Sequence, residues 1–288
     1  MDHARVRYLE AKRTVDDRAL NERVRRRLLD AAPDDCRVFE AGCGTGANVP
    51  RLAEWDLDVG SYLGVDRDAG LVRFARELRP AELRRRGLDA VDTATGCRVD
   101  DRPFAFHAGN ALRPGDALRA ADSADPVDLV IAHAFMDLVP AEAAVAAFER
   151  VLAPGGLAYF PITFDGVTVF QPDHPADDAV ERAYHDHVDA ADGRDVRAGR
   201  HLAHHLQERD GTLLAMGASD WVVRPRGDGY PADEASFLAT ILGFVETALA
   251  DADVDRGDEW LATRRRQLEN RGLTYVAHQY DLLYRTPK

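Results

Sequence analysis

The feature that most restricts the fold is the run Val38-Phe39-Glu40-Ala41-Gly42-Cys43-Gly44-Thr45-Gly46, in which an apolar strand passes directly into a glycine-rich turn and then into a helical segment. Glycine permits tight turning and close approach of backbone to ligand, and the helix that follows presents free N–H groups. A strand–turn–helix of this kind belongs to α/β folds that bind nucleotide-like ligands at the carboxyl ends of parallel strands. Its spacing is G-x-G-x-G with an acid, Glu40, just upstream, whereas the dinucleotide fingerprint reads G-x-G-x-x-G. The shorter spacing suits a ligand without a pyrophosphate.

The pattern downstream supports a doubly wound sheet. Short apolar runs alternate with amphipathic segments from about residue 36 to 164, which predicts strands at Arg37–Glu40, Tyr62–Asp66, Phe104–Ala108, Val127–His133 and Leu157–Phe164. Helices are expected at Gly46–Glu54, Asp68–Leu78 and Ala141–Leu152, and the polar stretch Gly87–Arg102 reads as an inserted surface loop. Upstream, Arg5–Leu29 carries Val6, Leu9, Leu20, Val24 and Leu28 between charges, as one or two amphipathic helices would. Beyond the fifth strand, helices are expected at Asp177–Ala190, Asp195–Gln207, Glu234–Leu249 and Asp258–Asn270, the last ended by Gly272. Strands are expected near Trp221–Val223 and at Leu273–Tyr284. The expected organisation is a helical lid over residues 1–35, a ligand-binding core over 36–164, and an acceptor-side region over 165–288 that completes the same sheet as one domain.

Three further segments supply polar groups at the carboxyl edge. Asp66 ends the second strand 20 residues after Gly46, where a carboxylate can accept both hydroxyls of a ribose. Asn110 and Ala111 follow the third strand, and His133 ends the fourth. Leu152-Ala153-Pro154-Gly155-Gly156 is a stop and tight turn before the fifth strand.

In this order the segments resemble those of the class I S-adenosylmethionine-dependent methyltransferases. That family has a Rossmann-like, mostly parallel seven-stranded sheet whose last strand is antiparallel, here with helical insertions. The resemblance covers residues 36–164 and implies S-adenosyl-L-methionine as cofactor. By the same resemblance Gly42, Cys43, Gly44 and Gly46 line the methionine portion, and Glu40 supports that site or the cofactor's ammonium. Asp66 takes the ribose, with Arg67 beside it, Asn110 and Ala111 take the adenine, and the His133 backbone touches the cofactor. Many relatives have Asp where this chain has Asn110; an amide oxygen still accepts the same hydrogen bond. His133 is also the candidate general base, against the alternative of a merely packed imidazole. Tyr8, Lys12 and Arg13 of the opening helix are candidates to reach the cofactor carboxylate, and Arg13 has the planar fork for it.

An activated methyl group needs an acceptor held in line and kept from water more than it needs acid–base chemistry. The implied reaction is methyl transfer to a small-molecule acceptor, for which Phe135, Asp137, Phe164, Phe170 and Trp221 are candidate wall residues. RNA or protein methylation, and cofactor binding without turnover, stay open as alternatives, although no N-P-P-Y or D-P-P-Y tetrapeptide follows the fourth strand. His201 and His205 stand at i,i+4, yet no third ligand completes a known zinc pattern, so no metal is expected. Cys36, Cys43 and Cys97, an odd set without CxxC spacing, are expected to be reduced thiols.

Composition narrows the setting. A net charge of -13 opposes broad nucleic-acid binding, and no apolar run approaches membrane-spanning length, so a cytoplasmic monomer or homodimer is expected. Lys12 and Lys288 are the only lysines among 37 basic residues, and aspartate pairs recur, as at Asp34–Asp35 and Asp100–Asp101. A strongly hydrated acidic surface suits concentrated salt, and a halophilic setting is one reading of it; GC-rich coding is the other.

Overall fold

The computed structural model describes residues 6–123 and 126–288. Arg5, the expected start of the first helix, lies outside the described residues. Alternation with period two builds the core, because successive side chains of each central strand go to opposite faces of the sheet. Val38, Tyr62, Leu129, Leu157 and Leu283 pack on one face with Val24, Leu28, Val49, Leu52 and Val72. Their neighbours Phe39, Leu63, Val130, Ala158 and Leu282 pack on the other with Val145, Phe148, Leu202 and Leu206. Both faces are buried, which is why these strands read as continuous apolar runs.

The strands are β1 (Cys36–Ala41), β2 (Val59–Asp66), β3 (Ala90–Thr93), β4 (Gly96–Val99), β5 (Arg102–Ala108), β6 (Val127–Ile131), β7 (Leu152–Gln171), β8 (Thr212–Ala218), β9 (Trp221–Val223) and β10 (Thr274–Arg285). Their order is β3-β4-β5-β2-β1-β6-β7-β10-β8, with β9 also on β10. The pairs β1–β2, β1–β6, β2–β5 and β6–β7 are parallel, and β10 is antiparallel to β7, β8 and β9. The doubly wound, mostly parallel sheet with an antiparallel last strand is therefore present, with ten strands in place of seven.

The additions have local causes. Gly87–Arg102 is not a surface loop: it forms the β3–β4 hairpin, which extends the edge beside β5. β8 was not expected at all. β7 runs from Leu152, so Ala153-Pro154-Gly155-Gly156 is a register shift within a strand, Gly155 having φ +74°.

The helices are α1 (Val6–Ala11), α2 (Arg13–Ala19), α3 (Glu22–Ala31), α4 (Asn48–Glu54), α5 (Ala69–Arg85), α6 (Pro114–Ala120), α7 (Ala141–Glu149), α8 (Asp177–Asp189), α9 (Ala198–Gln207), α10 (Glu234–Ala250) and α11 (Gly257–Glu269). Asn21 caps α3 by accepting from the N–H groups of Arg23 and Val24, and Asp68 caps α5 through Gly70 and Leu71. α1, α2, α8, α10 and α11 share a separate apolar cluster above the carboxyl edge of the sheet, including Tyr8, Val180, Phe237, Ile241 and Trp260. This helical layer roofs the site.

Candidate active site

β1 delivers the chain into the glycine turn with Gly42 at φ +68° and Gly46 at φ +73°. A Cβ on Gly42 would stand 2.4 Å from the ring of Phe135, and one on Gly46 would stand 2.6 Å from Phe106. Both positions therefore need glycine for conformation and for space. The turn is clasped from β2: the Gly44 N–H donates to Asp66 Oδ2 at 2.9 Å, while Asp66 Oδ1 accepts from the Asp68 N–H at 2.9 Å. Each carboxylate oxygen keeps a second lone pair.

Beneath the turn, Glu40 is buried, accepting from Asn48 Nδ2 at 2.9 Å and from the Tyr62 hydroxyl at 2.5 Å. Burial pushes its carboxyl up to about 7, against the opposing pull of those two donors.

A cavity of about 700 Å³ opens along the carboxyl edge. Glu40, Gly42, Cys43, Gly44, Asp66, Arg67, Asn110, Ala111 and His133 all line it. Gly46 does not; it faces Phe106 and Ala75 behind the turn. Asn110 spends its side-chain oxygen on the Leu112 N–H at 2.9 Å, closing a local turn.

Arg13 is placed otherwise than the sequence suggested. It turns away from the cavity to Glu82 on α5 at 2.7 Å and to Glu10 at 3.1 Å, one helical step from the residue that does face inward, Lys12. Phe164, Trp221, Phe135 and Asp137 line the cavity, whereas Phe170 is buried against Trp260 and Tyr275 with ring centroids 5.0 Å away.

Sequence reasoning missed the group that joins these parts. Asp16 of α2 is 1% exposed and sits at the centre of a buried polar cluster. Its Oδ1 accepts from Trp221 Nε1 at 2.9 Å, and its Oδ2 lies 3.1 Å from His133 Nε2, 3.2 Å from Lys12 Nζ and 3.6 Å from Arg51. Burial alone would raise the Asp16 carboxyl; Lys12, His133 and Arg51 overcome that and hold it far below its ordinary range. Burial pushes the His133 imidazole down to about 4, against the pull of Asp16, so the ring is neutral at pH 7. The i,i+4 pair Lys12/Asp16 was the available signal.

The cavity has two halves. The glycine turn, Asp66, Asn110 and Leu112 bound one; Tyr8, Phe164, Tyr184, Trp221, Phe244 and Tyr275 bound the other. His201 is paired with Asp195 at 2.6 Å outside it, and among the described residues no group of three or more His, Cys, Asp or Glu is placed to hold a metal. Cys36, Cys43 and Cys97 are free and buried.

Comparison with known proteins bears on this arrangement. Residues 39–160 match the model of a methyltransferase domain. The chain is 30% identical over 199 residues to an uncharacterised 37.1 kDa protein in transposon TN4556 of Streptomyces fradiae, covering 69% of this chain and 49% of that protein. Over 60 residues it is 42% identical to a magnesium-protoporphyrin O-methyltransferase of Rhodobacter capsulatus, covering 20% of this chain and 25% of that one. The chain thus spans half or less of the curated relatives it matches. Among solved structures, a candidate type II methyltransferase from Anaeromyxobacter dehalogenans superposes with a TM-score of 0.50 at 18% identity, over 93% of this chain and 98% of the other, which speaks to the fold. Residues 39–160, with their glycine turn at the centre of a doubly wound sheet, are therefore the part of the chain that resembles a methyltransferase domain.

Proposed function

We propose that this protein transfers a methyl group from S-adenosyl-L-methionine to a small-molecule acceptor held in the aromatic half of the cavity. The observation that carries the reading is the continuity of one cavity from the glycine turn to the ring-lined half under the helical roof. Tyr8 is 5% exposed, and His133 and Trp221 are each 9% exposed, so the inner end suits a molecule that can be enclosed better than a loop of a macromolecule.

The donor set fits the cofactor. The carboxylate lone pairs of Asp66 suit ribose hydroxyls, Leu71, Ala111 and Leu112 offer apolar surface beside Asn110, and Arg67 brings charge and Glu40 a buried carboxyl near the turn. When bound, the cofactor supplies an electrophilic methyl group. The protein's part is to hold, orient and exclude water. We assign His133 to positioning: its Nε2 is engaged by Asp16, and its Nδ1 has no partner among the described residues and no open surface.

Calorimetry with S-adenosylhomocysteine tests the reading. Wild type is expected to bind in the micromolar range, and Asp66→Ala to bind at least tenfold more weakly, about 1.4 kcal/mol. A folded wild type that does not bind would remove the cofactor and the reaction together.

A further inference from the structure

Asp137 is an acid of the cavity wall that the cofactor half does not use. It lies on the 3-10 turn Met136–Leu138, just past the end of β6, and lines the cavity. The Asp195 N–H donates to its backbone carbonyl at 3.2 Å, which fixes the turn against the segment before α9. Among the described residues its carboxylate makes no hydrogen bond or ion pair with another side chain, and its own backbone N–H stands near enough to oppose the effect of burial. Of the other acids near the roof, Asp16 is engaged by Trp221, His133 and Lys12 and Asp195 by His201, while Asp192 is exposed at the cavity rim.

We propose that the Asp137 carboxylate holds the protic group of the methyl acceptor, an O–H or N–H carried on an apolar, ring-sized body, and receives its proton as the methyl group arrives. This rests on the methyl-transfer reading above and deepens it. The acceptor's heteroatom forms the new bond with its own lone pair, the electrons of the carbon–sulfur bond remain on sulfur, and the O–H or N–H proton passes to Asp137. Two features favour Asp137 over His133 for this task. The His133 ring is spent on Asp16 through one nitrogen and sealed at the other, whereas Asp137 lines the cavity and its carboxylate has no hydrogen-bonded side-chain partner among the described residues. The surrounding walls, Tyr8, Phe164, Tyr184 and Phe244, are aromatic and suit a planar body.

The groups facing Asp137 set its charge. They are Tyr8 of α1, Lys12 at the α1–α2 junction, Tyr184 of α8, and Arg194 and Asp195 of the segment before α9. Burial raises the carboxyl to about 6, against the pull of its own N–H, Lys12 and Arg194. The acid is therefore mostly ionised at pH 7 and able to take a proton above about pH 6.

Fluorescence and calorimetric titrations of the protein loaded with S-adenosylhomocysteine test the proposal, using four probes that share one ring system. These are 2-naphthol, 2-naphthylmethylamine, 2-methoxynaphthalene and 2-naphthoate. The expected result is that at least one protic probe binds tenfold or more tightly than the methoxy compound at pH 7.5, with naphthoate weakest. Which protic probe wins separates hydroxyl from amine acceptors. The preference should decline as the pH falls through about 6. Asp137→Asn, nearly isosteric, should reduce it to threefold or less and flatten its pH profile while leaving S-adenosylhomocysteine binding unchanged. Equal binding of protic and methoxy probes, a preference that survives in Asp137→Asn, or failure of all four to bind the loaded protein would overturn the proposal. Failure of S-adenosylhomocysteine itself to bind would overturn the underlying reading as well, so the two failures are distinguishable.

Discussion

At the scale of single residues, burial of ionisable groups decides how the site responds to pH. Glu40, raised to about 7, stays protonated in the folded chain over a range where the unfolded chain has lost its proton. The folded state binds more protons there, so this group's contribution is fully present below about pH 4.5 and is lost as the pH rises through 7. Glu40→Gln removes that dependence and keeps partners for Asn48 and Tyr62. Relative to wild type, the variant's unfolding free energy is expected to rise between pH 4.5 and 7 by up to about 3 kcal/mol. Urea denaturation at a series of pH values measures it, and a pH-independent difference would count against a buried, neutral Glu40.

Residue-scale legibility followed chain proximity. Glu40, Gly42, Asp66 and His133 stand at strand ends whose direction the alternation sets, so their meeting at one edge could be read from the sequence. Lys12 and Arg13 are neighbours on a helix about 100° apart per residue. Only the tertiary packing of α1 and α2 decides which faces inward. Asp16 was hidden for a related reason: in a segment rich in charge, an acid reads as solvent-facing until Trp221, 205 positions on, is placed against it.

Among the elements, the opening helices are held by buried ions more than by their own length. Arg79 of α5 is fully buried, donating to the Thr45 carbonyl of the glycine turn at 2.7 Å and pairing with Glu10 of α1 and Glu82. Arg18 of α2 pairs with the buried Glu234 of α10. One arginine thus ties the roof to the back of the turn. Arg79→Met leaves the Thr45 carbonyl without its donor and Glu10 and Glu82 with Arg13 as the cation they share, and breaking a buried pair costs up to about 3–5 kcal/mol. The expected outcome is amide exchange in α1 and α2 at least tenfold faster, with β6 and β7 still protected. Uniform acceleration would mean that the helices are not a separately opening unit.

The elements that escaped sequence reading are those without a strong period. Thr212–Ala218 is an edge strand of small and flexible residues, partly exposed throughout and lacking the alternation that marks β1 or β6. Ala90–Thr93 and Gly96–Val99 are four residues each, and three of the four in β3 are exposed. α6 is a seven-residue helix opened by Pro114-Gly115, too short to show a helical period.

At the scale of the whole molecule, a net charge of -13 repels itself at low ionic strength. Many surface Arg–Asp and Arg–Glu pairs, such as Arg98–Asp101 and Arg256–Glu259, relieve this only locally and are worth little individually. Salt should therefore stabilise the fold as well as screen it. Between about 0.1 M and about 2 M potassium chloride the melting temperature is expected to rise by several degrees. A flat or falling curve would assign the Arg-for-Lys and Asp bias to coding composition alone.

The order β7-β10-β8 also governs how the chain can be assembled. Among the described residues β8 pairs only with β10, and β10 is synthesised more than fifty residues later. Asn21 at the head of α3 donates its N–H to Asp281 of β10 across 260 positions, and the same carboxylate accepts from the Ile162 N–H at the edge of the cavity. On the ribosome, β8 must wait as an unpaired edge, and the head of α3 lacks its anchor at Asp281 until β10 emerges and slides between its neighbours. Ligand binding by nascent chains should therefore appear abruptly at the length that frees β10 from the exit tunnel.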